Sequence, residues 1–293
     1  WDLHAANPPG AAASIAAGFL EGATHWAGRW VPIDIAPAST EPPQRAMGSF
    51  LALRVAPSPT TGRTAIAWQP GLKAGHMLAA LSGETTEAAP REYVEETFDA
   101  YAGRFDRHLT EQLQYTVPQA LQEIVAMVLG EEGRIERMLD LGCGTGLAGE
   151  AFRPMVRQLH GIDISAGMLA RAGAKNLYDL LEQEDLAVWL EHCRQRYDLI
   201  IATDVFVYIG QLDPIFAALD RCTAPGALLG FSIERCDEGQ NYLLRPSGRY
   251  AQSPAYIERL AAEHGWTILT HRSHGIRREE GEWIAGDLYL LRR

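Results

Sequence analysis

Met138-Leu-Asp-Leu-Gly-Cys-Gly-Thr-Gly-Leu-Ala-Gly-Glu150, followed by Leu159-His-Gly-Ile-Asp-Ile-Ser-Ala-Gly-Met-Leu169, is the stretch that decides the fold. Its first half is a short apolar run closed by Gly142, Gly144 and Gly146. Such a cluster lets the backbone turn sharply from a strand into a helix, and the missing Cβ atoms let a ligand approach the main chain. The second half is another apolar run ending in an acid, Asp163. A glycine turn and an acid about 20 residues further on is the spacing of a βαβ unit whose second strand offers a carboxylate to a ribose.

Two cofactors use this geometry. Gly144, Gly146 and Gly149 spell the dinucleotide pattern G-x-G-x-x-G, but Gly142 already ends the strand and Asp140 stands where dinucleotide folds keep an apolar residue. A dinucleotide places its pyrophosphate on the helix N-terminus. A carboxylate at that strand end would repel the pyrophosphate and would suit an ammonium, which S-adenosylmethionine carries in place of any phosphate.

Asp140-Leu-Gly-Cys-Gly-Thr-Gly146 with Gly161-Ile-Asp-Ile-Ser-Ala-Gly-Met-Leu169 resembles motifs I and II of class I S-adenosylmethionine-dependent methyltransferases. The likeness runs from about Tyr93 to Arg293. It is nearest to predicted bacterial methyltransferases associated with tetratricopeptide repeats, which carry segments similar to Phe98-Asp-Ala-Tyr-Ala-Gly-Arg-Phe-Asp-Arg-His-Leu109 and Ser247-Gly-Arg-Tyr-Ala-Gln-Ser253. In those relatives helical repeats precede the domain and end in something like Gly75-His-Met-Leu-Ala-Ala-Leu-Ser-Gly83; residues 1–71 here show no 34-residue period.

The pattern around this stretch alternates. Strands are expected at 138–141, 158–162, weakly at 177–181, at 197–202, 227–233, 266–271 and 283–291. Helices are expected from Gly146, from a Ser165 cap to Lys175, from Glu184-Asp185 to about Cys193, from Asp213-Pro214 with Asp213 as cap, and from Ser253-Pro254 to Gly265. This predicts an α/β fold: a doubly wound, Rossmann-like sheet of seven strands whose last pair is antiparallel. Upstream, Val94, Phe98, Tyr101, Phe105 and Leu109 form a helical stripe broken near Gly103. Further helices are read at 73–81 and from Thr116 or Val117 to Leu129. Residues 1–71 are rich in Ala, Pro and Gly, with apolar pieces only at 50–55 and 64–68, and read as loosely packed or partly disordered chain; Asn7-Pro8-Pro9-Gly10 is a chance match to an amino-methylation motif. The domains expected are therefore 1–71, a helical cap or linker at 72–130, and the methyltransferase domain at 131–293.

Composition narrows the function. The 293 residues are 47% hydrophobic, enough for a sizeable core, and carry a formal net charge of -11. An acidic chain argues against a nucleic-acid partner, because phosphate contacts need clustered Lys and Arg. No apolar run reaches membrane-spanning length. Cys143, Cys193, Cys222 and Cys236 are widely spaced with no Cys-x-x-Cys, which suggests free thiols, a cytoplasmic setting and no structural metal.

The resemblance implies roles. Asp140 takes the methionine ammonium, directly or through water. Gly142, Cys143, Gly144, Thr145 and Gly146 pack along the cofactor. Asp163 accepts from the ribose hydroxyls, Ile164 and Met168 wall the adenine, and Asp185 with Leu186 recognises its amino group. Thr203 and Asp204 lie beside the transferring methyl, and Tyr101 with Phe105 forms a lid. Tyr208, Arg249, Tyr250 and His274 are candidates for the side of a small-molecule acceptor. Helix capping is the rival role for Asp185, Asp204 and Asp163. No general base is singled out, and no metal is needed for an in-line methyl transfer. The competing readings are a non-catalytic methyltransferase-fold assembly protein and a nicotinamide oxidoreductase.

Overall fold

The computed structural model describes residues 51–57, 64–70, 72–130, 133–237, 239–279 and 281–293. The chain divides into two compact units, Trp1–Glu84 and Thr85–Arg293. In the first unit, strand β1 (Leu51–Pro57) pairs antiparallel with β2 (Thr64–Pro70), in a register running from Leu51 opposite Pro70 to Pro57 opposite Thr64. The two apolar pieces in this part of the sequence thus pair with each other. Cross-strand hydrogen bonding supplies order that neither piece shows alone. Helix α1 (Leu72–Ser82) follows and stops at Gly83, whose φ is 77°. Residues 1–50, including Asn7-Pro8-Pro9-Gly10, lie outside the described residues.

The second unit opens with helix α2 (Arg91–Tyr101). It breaks at Ala102–Arg104, beside Gly103, and continues through short helical turns to Gln112. Helix α3 (Val117–Leu129) carries Pro118 in its first turn, where no N–H is needed, and ends at Gly130. Then the alternation begins: β3 (Ile135–Leu141), α4 (Leu147–Phe152), β4 (Val156–Asp163), α5 (Ala166–Ala174), β5 (Leu180–Gln183), α6 (Leu186–His192), β6 (Tyr197–Ala202), α7 (Asp213–Leu219) and β7 (Thr223–Arg235). Short strands β8 (Tyr242–Leu244) and β9 (Tyr250–Gln252), helix α8 (Pro254–Glu263) and the long pair β10 (Thr267–Glu279) and β11 (Glu282–Arg292) complete it.

The main path of the sheet has the order β10-β11-β7-β6-β3-β4-β5. Strands β5, β4, β3, β6 and β7 are parallel, and β11 runs antiparallel between β7 and β10. The expected seven strands are therefore present with an antiparallel closing pair. Strands β8 and β9 are additions, with β9 pairing the carboxyl end of β7. They escape the sequence reading because three residues are too few to show a period. The third strand lies at 180–183 instead of 177–181, because Tyr178 is drawn under the neighbouring glycines.

Both faces of the sheet are buried. On β6, Ile200 and Ala202 join one core with helices α6, α7 and α8, while Leu199 and Ile201 join the other with α3 and α4. That explains a continuous apolar run where a one-sided strand would alternate. Ser165 and Ser253 cap α5 and α8 as the sequence suggests, accepting from the N–H groups of Met168 and Tyr256. Asp213 does not cap α7: its carboxylate accepts instead from Tyr256 at 2.6 Å and from Arg259 at 3.2 Å. Order reverses between β3, whose crossover leads to β4, and β6 on its other side. Ligands of open α/β sheets bind at that crevice, outside the carboxyl ends of the strands.

Candidate functional site

The turn after β3 sets the floor of the crevice. Gly142, Gly144 and Gly146 have φ values of 65°, 54° and 91°, a region that L side chains avoid. A Cβ at Gly144 would meet nothing closer than Phe105 at 3.9 Å, so the main chain there is open to a ligand. The Gly144 N–H donates to Asp163 at the end of β4, 2.8 Å away, and Ser165 N–H donates to the other Asp163 oxygen at 2.8 Å. Asp163 thus braces the glycine turn while lining the crevice. Burial pushes its carboxyl up to about 6, against the bonds from Ser165 and Gly144.

The crevice encloses about 800 Å³, within the range of about 300–1,000 Å³ for small-molecule sites. Its walls bring together most of the residues picked from the sequence: Tyr101, Gly142, Cys143, Gly144, Thr145, Asp163, Ile164, Asp185, Leu186, Thr203, Asp204, Tyr208 and Arg249. Asp185 also caps α6, accepting from Ala187 at 2.9 Å and Val188 at 3.2 Å through one oxygen. Capping and a ligand-facing position are therefore compatible in this residue. Cys143 is a buried thiol whose pKa is pushed well up, first by burial and then by Asp140 and Asp163, which suits a small spacer and not a nucleophile.

Five of the chosen residues lie elsewhere. Asp140 is completely buried beneath the glycine turn, where one oxygen accepts from Tyr178 at 2.6 Å. Its other oxygen has no hydrogen-bond partner. Burial pushes this carboxyl up to about 7, with Tyr178 opposing and Asp163 adding to the rise. Gly146 caps α4 below the crevice. Met168 is fully buried in α5, its N–H spent on Ser165. Tyr250 faces Thr86 at 2.5 Å, and His274 lies on β10, 3.4 Å from Thr116. The sequence carries no information about the face these last two residues occupy.

Helix α2 and the turns that follow it form one wall of the crevice. Asp99 accepts from Ser165 Oγ at 2.5 Å and from Gly167 N–H at 3.0 Å, which ties α2 to the start of α5. Asp106 accepts from Thr145 and pairs with Lys175 at 2.8 Å. Phe98 meets Phe105 and Tyr208 edge-on at 6.1 and 5.3 Å. Tyr101 bonds His108, which also lines the crevice.

The opposite end holds what the sequence reading missed. Arg277 is 2% exposed and gathers three carboxylates. Asp204 accepts at 2.7 and 3.1 Å, Glu279 at 2.8 Å, and Glu234 takes the other terminal nitrogen. Glu279 also pairs with Arg249 at 2.7 Å. Burial opposes the charge on Arg277, but Asp204 and Glu234 hold its pKa above the ordinary value. Burial raises Glu234, with Arg277 opposing. Burial works to raise Glu279 too, but the bond from Arg277 and the charge of Arg249 hold it below its ordinary value. Asp204 has a left-handed backbone, φ 60°, and its N–H donates to Ser232 Oγ at 2.8 Å. Such a conformation in a non-glycine residue is costly and clusters at functional sites. It caps no helix. Arg277 reaches inward because β10 bulges between Gly275 and Arg278, opposite Ala285 and Trp283. In the sequence Arg277-Arg278-Glu279 reads as a solvated charge run, and no local signal marks the bulge.

Known proteins agree with this architecture. Residues 139–229 match the family described as a methyltransferase domain. A ubiquinone biosynthesis O-methyltransferase of Rhodopseudomonas palustris (strain BisB18) is 32% identical over 95 residues, covering 32% of this chain and 37% of that protein. A trans-aconitate 2-methyltransferase of Pseudomonas aeruginosa (strain UCBPP-PA14) is 32% identical over 136 residues, covering 43% of this chain and 48% of its own length. The chain therefore spans less than half of either curated relative. The crystal structure of the N-methyltransferase NodS from Bradyrhizobium japonicum WM9, in complex with S-adenosyl-L-homocysteine, superposes with a TM-score of 0.54 at 18% identity, over 68% of this chain and 98% of that one. The fold is a Rossmann-like α/β sheet shared with that structure, and the segment that carries the glycine turn matches the methyltransferase-domain family.

Proposed function

We propose that the chain is an S-adenosylmethionine-dependent methyltransferase acting on a small-molecule acceptor. One observation carries this reading: the Gly144 main chain, clear of any Cβ contact, faces a crevice of about 800 Å³ and is held there by the acid that ends β4. The residues present fit the cofactor. The free lone pairs of Asp163 would accept from ribose hydroxyls, Asp185 and Leu186 would meet the adenine, and the open turn at Gly142 to Thr145 would lie along the ligand. The fully buried Asp140 oxygen without a partner is an acceptor that an ammonium, through an intervening water, would satisfy.

Bound there, the cofactor supplies a methyl group on a sulfonium, which transfers to the acceptor while the sulfur keeps the carbon–sulfur bonding pair. The chain's part is to position and to exclude water. Phe98, Tyr101, Phe105 and Tyr208 roof the crevice with rings. Asp204, at the end of β6, lines the same crevice. A net charge of -11 disfavours nucleic acid, and a crevice of about 800 Å³ accords with a small acceptor. None of the helices among the described residues is long and apolar enough to cross a membrane. Four free cysteines accord with a cytoplasmic setting. Kinship with repeat-associated methyltransferases, and a division into residues 1–71, 72–130 and 131–293, belong to the same reading.

Calorimetric titration with S-adenosylmethionine, S-adenosylhomocysteine and NAD tests the proposal. Saturable, micromolar heats with the first two and none with NAD are expected. Heat with NAD alone would show the glycine turn to be a dinucleotide site.

A further inference from the structure

Beyond the glycine turn the crevice runs on toward the carboxyl end of β6, where a set of charges and a set of rings meet. The charges close on themselves. Asp204, Glu234 and Glu279 all bond Arg277, Arg249 pairs with Glu279 at 2.7 Å, and Arg245 stands 3.8 Å from Glu234. Three carboxylates thus face three guanidiniums, and the four groups that line the crevice here, Asp204, Glu279, Arg249 and Arg277, sum to zero. Glu87 lines it too, but it is exposed to solvent, where its charge is screened. Both Asp204 oxygens are taken by Arg277. The guanidiniums of Arg277 and Arg249 both reach Glu279 through Oε1, which leaves Oε2 to accept from a ligand. The rings stand next to these charges. Tyr115 lies beside Thr203 and Asp204, Tyr208 beside Arg249, and Phe98 meets Tyr208 edge-on at 5.3 Å. All three line the crevice, together with Leu109 and Leu113.

We propose that the methyl acceptor is an uncharged phenol, its ring seated against Phe98, Tyr115 and Tyr208 and its hydroxyl turned to Glu279. This rests on the methyl-transfer reading and names the acceptor class for that same crevice. An ion entering here would shed its hydration and find every counter-charge already paired, so it would have to break a bond of the cluster to be held. A neutral ring pays no such cost. It buries apolar area against the wall and meets the protein's rings edge to face, the arrangement their quadrupoles favour. The hydroxyl supplies the one donor that the spare Glu279 oxygen lacks, in a charge-assisted bond. In the transfer the phenol oxygen bonds the methyl carbon, the carbon–sulfur pair stays on sulfur, and the phenol proton leaves along its hydrogen bond to Glu279.

Binding of naphthol to the full chain saturated with S-adenosylhomocysteine, followed by calorimetry at neutral pH, tests this without knowledge of the natural acceptor. The controls carry their groups at the same ring position: naphthoate as anion, naphthylmethylammonium as cation, and decahydronaphthol as saturated alcohol. Naphthol should bind alongside the loaded ligand, with both ions weaker by roughly tenfold or more. The saturated alcohol should be weaker by roughly fivefold. Phe98→Leu keeps an apolar side chain but removes a ring, and should weaken naphthol roughly fivefold while changing S-adenosylhomocysteine binding much less. Tyr208→Leu decides the matter if Phe98→Leu melts early. Either ion binding as tightly as naphthol, a saturated alcohol binding as well, or naphthol failing to bind or displacing S-adenosylhomocysteine overturns the inference and leaves the cofactor reading standing. Absence of S-adenosylhomocysteine binding overturns both.

Discussion

Tyr178 donates a hydrogen bond of 2.6 Å to Asp140 directly beneath the glycine turn, and the Asp140 carboxyl is fully buried there. Its folded-state pKa stands at about 7 against an ordinary 3.8, chiefly through burial. A raised folded value means that the native state holds the proton more tightly than the unfolded chain. Stability is then lost as pH rises from about 4 to about 7, and the cost is fully present above that. At about 1.36 kcal/mol per unit, the upper bound is roughly 4 kcal/mol. Asp140→Asn keeps an acceptor for Tyr178 and cannot ionise. It should therefore be more stable than the parent at pH 8 and near parity at pH 4, in urea titrations of the ligand-free protein. A variant that is less stable at pH 8 would mean that the buried charge is compensated by a group not seen bonding it.

The same tyrosine explains a glycine that mimics a dinucleotide signature. A Cβ on Gly149 would stand 2.6 Å from the Tyr178 hydroxyl oxygen and one on Gly161 2.7 Å from its ring. Gly149→Ala should lower stability by about 1–3 kcal/mol through overpacking. Pairing it with Tyr178→Phe should recover part of the loss, since the clashing oxygen is gone. A Gly149→Ala protein with an unchanged melting temperature would show that Tyr178 has room to move.

What was legible in the sequence follows from these cases. The order of strands and helices after Arg137 could be read because each element carries its own period, cap or turn. The glycine turn and Asp163 could be read because their spacing is fixed by a single βαβ unit. Arg277, Glu234 and Tyr178 could not. Each has a partner 38 to 73 residues away in sequence, and one of them depends on a bulge. The pairing of β1 with β2, and of β9 with the end of β7, was hidden for the same reason: long-range hydrogen bonds leave no local trace.

A second buried titratable group acts with the opposite sign. His160 on β4 is 6% exposed, bonded to Tyr197 at 2.5 Å and facing Glu182 at 2.8 Å, which also accepts from Trp189. Burial lowers its pKa below 6.5, although Glu182 works to raise it. A lowered folded value makes neutral histidine a native-state preference. Its contribution is complete above about pH 6.5 and is lost as pH falls through that value. The stability difference between the parent and His160→Gln should shrink on going from pH 8 to pH 5, whereas the Asp140→Asn comparison changes in the other sense. Denaturation curves at the two pH values, with all three proteins, separate the effects. An unchanging His160→Gln difference would place the imidazole in the same charge state in both native and unfolded chains.

Asp163 both braces the glycine turn and lines the crevice. From the sequence its loss should weaken ligand binding alone, while a rival capping role would affect stability alone; on the proposed function both should change. Ser165, not Asp163, caps α5, but Asp163 accepts main-chain N–H bonds from Gly144 and Ser165 at 2.8 Å each. Hydrogen bonds to a charged group are worth about 1.5–3 kcal/mol apiece, and removing the acceptor leaves two donors to be satisfied by water. Part of that is offset because the raised pKa of about 6 shows the ionised carboxylate already penalised by burial. Asp163→Ala should lower the ligand-free stability by about 1–3 kcal/mol and, with the ribose acceptor gone, weaken S-adenosylhomocysteine binding by about tenfold or more. Asp163→Asn offers one oxygen and one amide. It can still accept from one of the two N–H groups, so it should recover part of the stability while staying weak in binding. Thermal melts without ligand and calorimetry with it, on both variants, give the two readouts. Full binding in a destabilised Asp163→Ala protein would confine the residue to bracing the turn, and an unchanged melt with lost binding would mean that the glycine turn keeps its shape unaided.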